Sequence, residues 1–101
     1  MSLRRRRFAE LVQRQLDLFA AEQTELLAEL DDAERTYDAA DRGGAEEAYG
    51  DVQLILDAGA DALVDLRDTY ASTLEPGPAA EYAKTFSRAA SRRFPRFTGL
   101  L

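Results

Sequence analysis

Nearly all the side chains here that can act chemically are carboxylates and guanidiniums. Nineteen Asp and Glu stand against thirteen Lys and Arg, there is no His and no Cys, and the net charge is −6. Without His, a Ser or Thr hydroxyl has no imidazole to take its proton, and acid–base catalysis loses the side chain that titrates near neutrality. Without His and Cys together, the usual ligands of zinc and most transition metals are missing, and disulfides are impossible. Carboxylate chemistry remains. Asp57, Asp61, Asp65 and Asp68 recur at helical spacing, as do Glu22, Glu25 and Glu29 earlier in the chain. One helix face cannot wrap a hard cation, which takes six or more oxygens. A carboxylate-bridged metal pair in a helical bundle draws on Glu-x-x-His pairs, which this chain cannot supply. Both rows therefore read as solvated faces, at some local cost from like charges one turn apart. Gly43-Gly44 lacks the following Lys-Ser/Thr of a phosphate loop. No enzymatic activity, metal or cofactor is expected.

The basic residues are segregated. Residues 1–16 hold five Arg and one acid, residues 17–83 three Arg and eighteen acids, and residues 84–101 five bases and no acid. The candidate partner-binding groups are therefore Arg4, Arg5, Arg6 and Arg7 at one end. At the other end they are Lys84, Arg88, Arg92, Arg93 and Arg96, with Phe94 and Phe97 interleaved. Lys84, Arg88 and Arg92 are spaced i, i+4, i+8 and fall on one helical stripe. A basic pole of this kind meets an anion, either an acidic protein or a nucleic-acid backbone. It can equally be neutralised by the chain's own acids.

What must position these groups is an all-α framework of about one domain. Ala9, Leu16, Gln23, Leu30 and Tyr37 recur every seven residues, and Val12, Phe19, Leu26, Ala33 and Ala40 fill the complementary row. This predicts a helix over 8–41, preceded by a basic arm over 1–7. Gln23 is the polar residue among its apolar neighbours, a means of fixing register. Asp41-Arg42-Gly43-Gly44 predicts a turn in which glycine takes the left-handed conformation. A second helix over 45–74 carries Tyr49, Leu56, Leu63 and Tyr70 in one row and Val52, Gly59 and Leu66 in the other. Folded at the turn, the two form an antiparallel hairpin that pairs Tyr37 with Tyr49 and Leu16 with Tyr70, and sets Gly59 near Leu26 and Leu27. Gly59 then marks a close approach of helices. Glu75-Pro76-Gly77-Pro78 breaks the second helix, a third is predicted over 79–93, and Pro95 ends it before a tail over 94–101.

Two helices bury only a narrow seam, and the third is too short to cover both along their length. Leu11, Leu18, Leu27 and Ile55 widen the seam beyond what one hairpin covers. A homodimer with a four-helix core is the simplest way to meet that demand, with a monomeric three-helix arrangement as the alternative. No apolar run reaches the ~20 residues of a membrane span. Arg4–Arg7 is followed by Glu10, Gln13, Arg14 and Asp17 rather than the apolar stretch of an export signal, which predicts a cytoplasmic protein. The expected function is that of a helical interaction or scaffold protein that self-associates and presents its basic pole and C-terminal tail to a protein partner. Nucleic-acid association is the competing reading.

Overall fold

The computed structural model describes residues 3–101, with side chains from Arg7 onward. The described residues form four α-helices and no strand: α1 Leu3–Glu22, α2 Thr24–Ala39, α3 Ala45–Ala71 and α4 Pro76–Arg93, followed by a 3₁₀ turn over Pro95–Phe97. The bundle is elongated, 52 × 25 × 22 Å. The chain is all-α, as the heptad pattern predicts.

The helix expected over 8–41 departs from that reading in two ways. It starts at Leu3, because Arg is a good helix former and nothing in the basic run breaks the ladder. It is also bent at Gln23, whose φ of −104° and ψ of 27° leave the helical region. Thr24 supplies the reason: its hydroxyl donates to the carbonyls of both Ala20 (3.2 Å) and Ala21 (3.0 Å), competing with the backbone ladder. Gln23 is thus where the long helix bends.

The bend divides the partners. α2 packs along α3, while α1 turns away and packs on α4, which also lies against α3. Near the turn, the Tyr37 and Tyr49 rings meet at a tilt, centroids 5.7 Å apart, as the hairpin pairing requires. At the open end, where Leu16 was expected to meet Tyr70, α4 also comes in. Tyr82 enters between the helices, 4.7 Å from the Tyr70 ring and 5.5 Å from Phe8. Phe8, Val12, Leu16, Phe19, Leu30, Leu63, Tyr82, Phe86, Ala90 and Phe97 form one buried cluster. Of the residues expected to call for a second copy, Leu11, Leu27 and Ile55 pack against this cluster within the chain, while Leu18 stays 51% exposed.

The connection over 40–44 differs in mechanism from its expectation. Neither Gly43 nor Gly44 has positive φ; among the described residues only Gly99 does. Ala40 goes extended (φ −69°, ψ 142°), and the Asp41 carboxylate accepts from the Gly44 amide at 3.0 Å. The aspartate does by hydrogen bonding what the left-handed glycine was expected to do. α3 ends at Ala71, and α4 begins at Pro76, where a missing N–H costs nothing.

Gly59 lies beside Leu26 as expected, but the close approach is made by a side chain. A Cβ at residue 59 would stand 2.6 Å and 2.7 Å from two atoms of the Phe97 ring and 3.2 Å from Leu26. The missing side chain makes room for an aromatic ring of the tail. Gly59→Ala gains about 1 kcal/mol of helix propensity but overpacks a filled site, a penalty of about 1–3 kcal/mol. The expected outcome of chemical denaturation is a net loss of stability for Gly59→Ala, larger for Gly59→Leu. The loss should shrink when Gly59→Ala is combined with Phe97→Leu. Independent, additive effects of the two changes would show that ring and glycine are not in contact.

Candidate interaction surface

α4 divides the basic C-terminal residues into two groups. Tyr82, Phe86 and Ala90 are buried on its inner face, and Lys84, Arg88 and Arg92 are exposed on its outer face. The inner face is locked by polar contacts as well as rings. The Tyr82 hydroxyl donates to Gln15 Oε1 at 2.7 Å, and Arg67 donates to Ser87 Oγ at 3.1 Å while pairing with Asp68 at 2.8 Å. Burial pushes the Tyr82 phenol up to about 12. Burial favours the neutral form of a phenol, since the phenolate would have to give up its hydration.

Arg93 and Arg96 are committed internally. Arg93 pairs with Asp17 of α1. Arg96 donates to Asp31 at 2.6 Å and Glu34 at 2.8 Å, both on α2. Burial works against the Arg96 charge, but the hydrogen bonds to Glu34 and Asp31 outweigh it and hold the guanidinium above its ordinary range. Phe94 packs edge-on to Phe19 at 5.2 Å, and Phe97 is fully buried. Of the residues expected to face a partner, Phe97 is therefore withdrawn into the core, and Arg93, Arg96 and Phe94 hold the tail to the bundle. The tail is not a free presenting arm. The side chains of Arg4, Arg5 and Arg6 lie outside the described residues; Arg7 is exposed.

Lys84, Arg88 and Arg92 have no such tie: among the described residues none of the three meets a carboxylate at ion-pair distance. Arg88 and Arg92 flank a groove between α1 and α4 of about 320 Å³, with Ala9, Val12 and Ala89 in its apolar part and Gln13 and Thr85 beside them; Lys84 lies one turn further along α4, outside it. Proximity to α1 is what makes this groove, and it depends on the bend at Gln23.

The seam residues separate by depth. Leu16, Phe19, Leu30, Val52, Gly59 and Leu63 are buried, and Leu11, Leu26, Leu27, Ile55, Leu56, Leu66 and Tyr70 are half-buried against them. Leu18 is 51% exposed. Asp57, Asp61 and Asp65 lie exposed along the outer face of α3, and among the described residues no three carboxylates converge as metal ligands would. Among the described residues no helix is long and apolar enough to cross a membrane. The pairings of Gln15 with Tyr82 and Ser87 with Arg67 went unforeseen, because neither position breaks a heptad or belongs to a motif. No protein family, curated protein or solved structure matches the chain.

Tyr82 gives this packing a signature in pH. Its folded-state value lies above the ordinary 10, so the unfolded chain loses its proton first as pH rises. The stability it contributes is fully present below pH 10 and is lost between roughly pH 10 and 12. Tyr82→Phe is expected to lower stability at neutral pH by about 1 kcal/mol, by orphaning Gln15. Over pH 9–12 its urea midpoint should decline less than that of the parent. Parallel declines would show that Tyr82 ionises as freely in the folded state as in the unfolded chain.

Proposed function

We propose that the chain is a non-enzymatic helical interaction protein that self-associates and engages an acidic protein surface through the outer face of α4. One observation carries this reading: among the described residues Lys84, Arg88 and Arg92 make no ion pair on one stripe, and Arg88 and Arg92 border a partly apolar groove, while Arg93 and Arg96 a few residues away are paired. Fixed cations beside buried-type apolar surface suit a ligand that is itself amphipathic and acidic. Phosphate backbones need the cations but not the groove. The acidic remainder of the chain opposes approach to nucleic acid at long range, though salt shortens that repulsion to about 8 Å. A site inside the cell agrees with this reading.

The test is a polarisation titration of the full chain with a labelled acidic amphipathic peptide and, separately, with labelled single- and double-stranded oligonucleotides. The peptide is expected to bind, and replacing Lys84, Arg88 and Arg92 together by Gln should weaken it roughly tenfold or more, about 1.4 kcal/mol. The fold should be unaffected, because all three side chains are exposed. Oligonucleotide binding is expected to be weak and to fall steeply between about 50 and 200 mM salt. Tight oligonucleotide binding lost in the triple variant, with no peptide binding, would replace this reading with nucleic-acid association.

A further inference from the structure

The surface that matches the α1–α4 groove is present on the same molecule. Leu54, on the outer face of α3, is 71% exposed, the most exposed of the large apolar side chains described. It is bracketed one turn away on either side by Asp51 and Asp57, and Asp61 follows on the same face; all three are exposed. The groove shows the inverse pattern. Its apolar part at Ala9, Val12 and Ala89 is bracketed along α4 by Arg88 and Arg92, with Lys84 one turn further on. Successive i, i+4 positions on a helix advance by about 6 Å, so Lys84–Arg88–Arg92 and Asp57–Asp61–Asp65 share one pitch. Two helices laid side by side then bring opposite charges into register over two turns.

We infer that the occupant of the groove is the outer face of α3 from a second copy of this chain, with Leu54 seated between the helices and its flanking aspartates on the α4 cations. The inference rests on the reading of α4 as a docking face and names its partner. It also accounts for the two unpaired charge rows together. Like charges one turn apart disfavour each helix alone, and bringing the rows together relieves both. Donor and acceptor surfaces differ, so two copies close into a dimer if each groove takes the other copy's α3, and otherwise the contact repeats head-to-tail.

The test begins with sedimentation velocity of the full chain at rising concentration. The parent should exceed the 11.2 kDa chain mass, whereas Leu54→Asp and the Lys84/Arg88/Arg92→Gln variant should stay at it. All four positions are exposed, so neither variant disturbs the core. The chain has no Cys, which allows a positional test with single-cysteine variants. Leu54→Cys mixed with Ala89→Cys under glutathione disulfide should give a mixed disulfide several-fold faster than Leu54→Cys mixed with Ala39→Cys. A parent that stays at chain mass throughout, association that survives Leu54→Asp, or equal cross-linking of the two mixtures would each overturn the inference. The acidic-peptide titration is a separate readout. If the peptide binds while the chain stays monomeric, the docking face stands and its occupant is a different acidic protein.

Discussion

A phenyl ring seated where residue 59 has no side chain holds the lower half of this bundle together. Phe97 comes from the end of the described chain, yet it packs at the middle of α3, beside Leu26 of α2 and 6.4 Å from the rings of Phe19 and Phe94. Elements from four parts of the chain meet on that ring. Burial of a phenyl group is worth a few kcal/mol, a large share of the stability of a small domain. The ion pairs of Arg96 with Asp31 and Glu34 are partly exposed and contribute little of that. Their role is orientation, since they hold the turn so that the ring points inward.

The same packing decides which charges are free. Once Phe97 and Phe94 are seated, Arg93 and Arg96 fall beside Asp17, Asp31 and Glu34, and the tail's cations are consumed. Among the described residues Lys84, Arg88 and Arg92, on the exposed face of α4, make no ion pair. A uniform basic end in the sequence thus becomes one structural clamp and one open stripe. The open stripe borders α1 only because Thr24 and Gln23 bend the first helix toward α4. The groove and the free cations therefore share a cause in that bend.

The apolar surface balances in the same way. Two straight helices would have left Leu11, Leu16, Leu66 and Tyr70 in need of cover. By opening the hairpin at one end, the chain lets Tyr82 and Phe86 in and covers that surface from within. Leu54 stays exposed and is set among carboxylates, a surface that suits a reversible contact better than a permanent core.

The heptad rows were enough to establish helices, their antiparallel order near the turn and the central buried positions of the hairpin, because a period of 3.5 places Leu16, Phe19, Leu30, Val52 and Leu63 on inward faces whatever lies opposite. Charge segregation and the absence of His and Cys were equally plain, being matters of composition. The bend at Gln23 was not legible: a threonine inside a helix can bond backward or point to solvent, and the choice depends on whether a bent helix finds something to pack on. Nor was the role of Gly59, since a glycine among alanines marks close approach without saying what approaches. The ring that fills the space lies thirty-eight positions away in the chain, and nothing local to either residue couples them. Which arginines stay free was decided in the same place. Ion pairing depends on distance in space, and those distances exist only once the tail has folded back onto the bundle.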